Sequence, residues 1–206
     1  MTRRSAFATT VILLSGIGLL FAVTDGFRAF TSETARRLAI LEQPVAIPPA
    51  ILQSHEGEDF HLADLSGRVV VIDFIFTRCP TICHALGAEF RDMADELRRR
   101  GLDSETVLLS ISFDPDYDNP QQLMAYLRRY GELRDNWLAA RIADKRELRR
   151  WLERFGVVVI ETEAGYEHNA AVHIVDPQGR LVAILDYEAT QQILETVTRI
   201  AAEQSS

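Results

Sequence analysis

The sequence predicts an α/β fold, a central sheet flanked by helices, with a membrane-anchor helix in front of it. Three observations carry this expectation. Residues 6–23 form an uncharged apolar run. Two near-continuous apolar segments of strand length, 69–76 and 107–113, are separated by one amphipathic helical pattern. The chain then closes on two further strand patterns, a tight turn and a last helix. At 206 residues the chain suits one domain plus an appendage and leaves little room for a second core.

The elements follow in order. Arg3 and Arg4 precede the 18 uncharged residues 6–23. At ~1.5 Å rise per residue that helix is about 27 Å long, close to the hydrocarbon thickness of a bilayer. A cleaved signal peptide begins in the same way, and the Arg pair is shared with twin-arginine signals. The length of the run and the poor small-x-small site Ala22-Val23-Thr24 favour an uncleaved anchor over residues 1–24. A short tail followed by a domain places that domain on the outer face, although Arg28, Arg36 and Arg37 blur the positive-inside count. Residues 25–50 read as a stalk, stiffened by Pro44, Pro48 and Pro49, and residues 51–206 as the folded domain.

Within the domain, residues 60–65 read as a short edge strand and a turn. Residues 69–76 have the unbroken apolar character of a strand buried on both faces. Leu86, Phe90, Met93, Ala94 and Leu97 then recur at helical spacing, and Gly101 ends that helix. Residues 107–113 are a second central strand. Asn119 caps, and Pro120 opens, a helix to Tyr130. Residues 141–143 read as a short strand, 145–155 as a helix closed by Gly156, and 157–160, 171–175 and 181–186 as strands. Asp176-Pro177-Gln178-Gly179 is the turn between the last two strands, and residues 191–202 are a final amphipathic helix. Trp137 and Trp151 are expected in the core. Strand–helix–strand units followed by a hairpin and a helix make a thioredoxin-like plan.

Composition excludes several functions. The formal charge is −8, and residues 38–206 carry 17 Arg/Lys against 28 Asp/Glu without a basic stripe, which argues against nucleic-acid binding. Two cysteines cannot build a disulfide framework or a four-sulfur metal site.

Those two cysteines lie in Cys79-Pro80-Thr81-Ile82-Cys83, where the first buried strand hands over to a helix. Pro80 suits a first helical position, so Cys79 is expected near the N-cap and Cys83 one turn in, on about the same face. The unpaired amides of a helix start favour an anion and acidify a thiol there. The α-carbons of such a pair are about 6 Å apart, within disulfide range, and the same proximity lets two thiolates grip one soft metal ion. Dithiol oxidoreductases usually have two residues between their cysteines; here there are three. Two thiolates leave a copper ion short of ligands, and imidazole is a natural complement. Of five histidines, His55 and His61 precede the core strand, His84 points about 100° from Cys83 on a helix, and His173 sits inside a strand. His168 lies in the polar stretch 164–169, expected to be a loop facing the cysteines. Active dithiol enzymes of this plan hold a proline at that place, and this chain has none between Pro120 and Pro177.

The motif Phe60-x-Leu62-x-Asp64-Leu65-x-Gly67-Arg68-Val69-Val70, with Asp73-Phe74-x-Phe76-Thr77-x-Cys79-Pro80-x-x-Cys83, resembles the Sco/SenC proteins. Ile111-Ser112-Phe113-Asp114-Pro115-x-x-Asp118 and residues 126–131 extend the match. The resemblance implies a membrane-anchored, thioredoxin-like copper protein that assists assembly of the binuclear copper site of cytochrome c oxidase. It implies Cys79, Cys83 and His168 as ligands of Cu(I) or Cu(II), His168 lying nine and eleven residues before Pro177 and Gly179 as the family's histidine does. The implied partners are the oxidase's copper-site subunit and other periplasmic copper carriers or thiol–disulfide proteins, with the domain on the periplasmic face of the inner membrane. A second role consistent with the family is thiol–disulfide reduction, with Cys79 and Cys83 as the redox-active pair. Asn169, Glu167 and Phe113 depart from the family's usual residues. The acidic trio Asp114, Asp116 and Asp118 offers a hard-cation site on composition alone, while a turn leading into a capped helix accounts for it more simply.

Overall fold

The structure, a computed structural model, describes residues 3–24, 26, 31–79, 82–163 and 165–204, and of residues 3–10, 23 and 82–84 the backbone alone. The chain divides into two compact units, residues 1–43 and 44–206.

The first unit holds two helices. The described side chains of α1 (Arg3–Val23), residues 11–22, carry no charge. Its described apolar side chains, among them Ile12, Leu14, Leu19 and Phe21, are all exposed. α2 (Ser32–Glu42) starts at Thr31, whose hydroxyl accepts the Thr34 N–H at 3.1 Å, and Glu33 pairs with Arg36 and Arg37 along it. Among the described residues no helix is long and apolar enough to cross a membrane. Those residues include the side chains of only the stretch 11–22 of α1, so the first half of the expected anchor lies outside them.

The second unit opens with β1 (Val45–Ala46), β2 (Leu52–Ser54), β3 (Asp59–Phe60) and a 3-10 turn (Leu62–Leu65), then β4 (Val69–Ile75) and α3 (Ile82–Arg99). It continues through β5 (Thr106–Ser112), α4 (Pro120–Arg128), β6 (Trp137–Arg141), α5 (Lys145–Phe155), β7 (Val159–Thr162), β8 (Gly165–His168), β9 (Val172–Val175), β10 (Arg180–Leu185) and α6 (Thr190–Gln204). Eight strands form one mixed sheet in the order β1-β10-β9-β4-β5-β6-β2-β3. β4, β5 and β6 are parallel, and the strands outside them pair antiparallel. Among the described residues β7 and β8 pair only with each other.

Every residue of β4 and β5 is buried, as expected for central strands covered on both faces. On one face Phe90 of α3, Tyr126 of α4 and Tyr130 just after α4 surround Trp137, whose Nε1–H donates to Ser110 Oγ at 3.1 Å. On the other, Phe155 of α5 lies on Phe74 and His173, with Trp151 beside it. Consecutive strand residues face opposite ways, so Phe74 points to α5 while Asp73, in register with Ser110, points to the α3 face. Trp137 and Trp151 are both core residues, as expected. The sequence reading does not include β1 and β2, and two further elements depart from it. The strand expected at 141–143 lies at Trp137–Arg141, because pairing with β5 and β2 decides its position rather than its own short polar-flanked pattern. The stretch around His168, expected to be a loop, ends in strand β8.

Candidate metal centre

The carboxyl ends of β4 and β5 carry the candidate site. After Ile75 the chain turns through Phe76, Thr77, Arg78 and Cys79, and the Cys79 N–H closes the turn on the Phe76 carbonyl at 3.2 Å. Cys79 is buried at 5 % exposure. Pro80 and Thr81 lie outside the described residues, and α3 is under way by Ile82. Cys83 falls in the first turn of α3, and its side chain lies outside the described set.

The turn is tied to the segment after β5. Thr77 N–H and Oγ1–H donate to the two oxygens of Asp118 at 3.0 and 2.5 Å, Ser112 Oγ–H donates to Asp118 at 2.6 Å, and Arg129 Nη1 donates to the Thr77 carbonyl at 2.8 Å. Arg78 reaches Asp114 at 2.6 Å while its guanidinium lies 4.1 Å above the Tyr117 ring. Asp116 pairs instead with Lys145. The three acidic side chains of this run therefore have three separate partners, and among the described residues no group of three or more His, Cys, Asp or Glu is arranged to hold a metal ion. They form a structured turn, not a hard-cation site.

His168 arrives from the opposite direction, on β8 of the two-stranded hairpin, paired with Val159. Its ring packs on Phe113 (5.0 Å between centroids) and Phe76 (6.4 Å), and Tyr166, two residues earlier, packs on the same pair at 5.6 and 5.3 Å. Phe76 thus touches the imidazole with its ring and the Cys79 amide with its carbonyl. Burial pushes the His168 pKa down, partly offset by its contact with the Asn169 carbonyl, which keeps the ring neutral, the form that coordinates metals. That carbonyl can only accept, so a hydrogen bond to it from the ring, 3.3 Å from Nδ1, needs the proton on Nδ1. Asn169 itself bridges the hairpin base: its Oδ1 accepts the Val158 N–H at 2.7 Å and its Nδ2 donates to the Gly156 carbonyl at 3.0 Å.

The other histidines have structural places. His173 is 1 % exposed, with Nε2 3.0 Å from the Phe155 carbonyl and Phe74 and Phe155 against its ring. His55 is buried and hydrogen-bonded to the Ala139 backbone, and His61 lies against the Ala50 carbonyl. The side chain of His84 lies outside the described residues. The sequence reading missed Phe76, Tyr166 and Asp118 as parts of this site. A Phe-x-Phe at the end of a buried strand and a Tyr two residues before His168 were the available signals. Two clefts, of about 340 and 260 Å³, flank Tyr166. A further cavity, about 370 Å³, opens beside Val70 and Gly179 at the other end of the sheet, away from Cys79 and His168.

Comparison with known proteins shows the family and the fold. The SCO1/SenC family model matches residues 44–202. The chain is 29 % identical over 148 residues to the SCO1 protein homolog of Bacillus subtilis, covering 70 % of this chain and 75 % of that protein. Among solved structures it resembles a SCO1/SenC family lipoprotein from Bacillus anthracis, with a TM-score of 0.71 at 24 % identity over 78 % of this chain and 99 % of that one. It also resembles BsSco, a member of the Sco family of cytochrome c oxidase assembly proteins described with a disulfide switch. There the TM-score is 0.69 at 25 % identity, covering 78 % and 95 %. Copper-bound yeast Sco1 shares the fold, with a TM-score of 0.62 at 22 % identity over 75 % and 90 % of the two chains. With the family model spanning the whole sheet and both sides of the candidate centre, the chain belongs to the SCO1/SenC family.

Proposed function

We propose that this chain is a membrane-tethered copper protein that binds one copper ion through Cys79, Cys83 and His168 and passes it to the copper-site subunit of cytochrome c oxidase. The observation that carries the reading is the seating of a neutral imidazole, His168, on the Phe76 and Phe113 rings at the sheet end from which the Cys79 turn leaves. Thiolate sulfur with one imidazole is a soft-to-borderline donor set that suits copper in either oxidation state. Copper-bound members of the same fold, and a relative described as an oxidase assembly protein, support the assignment. Tethering is inferred from the uncharged sequence run 6–23 and from the lipoprotein nature of one neighbour. The domain is proposed to face the periplasm, where it meets other copper carriers and thiol–disulfide proteins.

A second reading, thiol–disulfide reduction, draws on the cysteine pair at a helix start and on the disulfide switch of BsSco. In it the Cys79 thiolate attacks a target disulfide, forms a mixed disulfide and releases one target thiol. The Cys83 thiolate then displaces the second, leaving Cys79 and Cys83 oxidised as the target is reduced. That sequence needs no imidazole ligand, so His168→Ala separates the two. If delivery is the function, the variant still reduces a test disulfide but fails to restore copper loading of the oxidase in cells lacking the natural protein. Full restoration by His168→Ala, with loss only on replacing a cysteine, makes reduction the function instead.

A further inference from the structure

We propose that Asp118 is the positioning residue for the cysteine turn, an inference that rests on the copper reading above and assigns a task to a side chain that reading leaves unused. Asp118 is fully buried. Its carboxylate accepts from three neutral donors, the Thr77 N–H, the Thr77 hydroxyl and the Ser112 hydroxyl. A buried carboxylate is a costly group to desolvate, and it persists where its acceptor capacity has a use that a neutral group cannot supply. An amide in its place would offer one acceptor oxygen and turn an N–H toward existing donors.

The placement of those bonds says what is being held. β4 and β5 are already fixed to each other by a continuous parallel ladder from Val69↔Thr106 to Ile75↔Ser112, so the strands do not depend on Asp118 for their register. Thr77 lies just beyond the ladder. Its N–H and hydroxyl are taken by Asp118 and its carbonyl by Arg129, so all three of its polar groups are committed. On one side of Thr77 is Phe76, whose ring supports His168 and Tyr166; two residues on the other is Cys79. Asp118 is anchored in turn by its own N–H to the Asp114 carbonyl at 2.8 Å, in the turn whose Asp114 side chain holds Arg78. Asp118 therefore sets the spacing between the residue that carries the thiol and the residue that supports the imidazole, its carboxylate bonding to Thr77 and Ser112.

The test uses the reduced full chain in detergent, compares wild type with Asp118→Asn, and reads two signals. Cu(II) binding and its thiolate charge-transfer band report the assembled centre. The rate of Cys79 alkylation by iodoacetamide, in a Cys83→Ser background, reports the turn without any metal. Val197→Ala, which trims a buried side chain on α6, controls for general loss of stability. Asp118→Asn is expected to keep the wild-type circular dichroism, to bind Cu(II) at least tenfold more weakly with an altered band, and to be alkylated at least tenfold faster. Val197→Ala, at a comparable fall in Tm, is expected to move neither signal. If Asp118→Asn does not fold, Thr77→Val, which removes one bond of the clamp, is read in the same way with a smaller change. Wild-type spectra and alkylation rates in Asp118→Asn, or equal changes in Val197→Ala, overturn the proposal. Absence of copper binding by the wild type itself overturns the copper reading, while the alkylation comparison still decides the role of Asp118.

Discussion

Asp73 sits in the middle of β4, fully buried, and neither carboxylate oxygen has a hydrogen-bond partner of good geometry. Burial pushes its pKa up to about 7, with the adjacent Ser110 hydroxyl offsetting a part. The carboxyl's ordinary value is 3.8. Between roughly pH 4 and 7, then, the folded chain holds a proton that the unfolded chain has lost. Stability falls as pH rises through that window and levels off above it. Asp73→Asn cannot ionise and should lack this dependence. Between pH 5 and pH 8 the variant should gain on wild type by on the order of 2 kcal/mol, read from denaturant midpoints at the two values; parallel curves would refute the assignment. At this scale the cysteines were legible from their spacing and from Pro80. His168, the proposed third ligand, was singled out by its polar stretch ahead of a strand and, through the family resemblance, by its distance from Pro177 and Gly179. Asp118 and Thr77 both stand in the family motif, but their bond was not legible because they are 41 residues apart in the chain.

Helix ends and apolar spacing were the clearest signals among the elements. α5 runs Lys145–Phe155 as expected because Asp144 Oδ1 accepts the Arg146 and Glu147 amides at its start and Gly156, at φ 66°, closes it in the left-handed region. α3 buries the five residues whose spacing announced it. β8 was missed because it belongs to a hairpin outside the main sheet, where no face is covered enough to impose an apolar alternation on Gly165, Tyr166, Glu167 and His168. One packing detail gives a prediction whose sign differs from the usual rule. Gly inside a helix is ordinarily less stable than Ala, but a Cβ added to Gly87 of α3 would lie 2.2 Å from Tyr130 Cζ. That ring is held by Trp137 and Tyr126. Gly87→Ala should therefore lower stability by about 1–3 kcal/mol, seen as a fall in Tm; an unchanged or raised Tm would show that Tyr130 moves aside without cost.

At the scale of the whole molecule, the two units divide the labour proposed for them. The unit of residues 1–43 carries the apolar helix and the unit of residues 44–206 carries the sheet and the candidate centre. The full-length chain is expected in the membrane fraction after an alkaline wash, with its mass unchanged. A soluble product beginning near Asp25 would instead identify residues 1–24 as a removed signal. The central claim concerns the copper ligands, and titration of the reduced chain with Cu(II), followed by absorption spectroscopy, tests it most directly. The account predicts one copper per chain and a thiolate-to-copper charge-transfer band. That band should be abolished by Cys79→Ser or Cys83→Ser, and affinity should collapse in His168→Ala but be retained in His173→Ala, whose ring is packed between Phe74 and Phe155. A reduced wild-type chain that shows no such band, or a His173→Ala variant that loses copper as His168→Ala does, would contradict it.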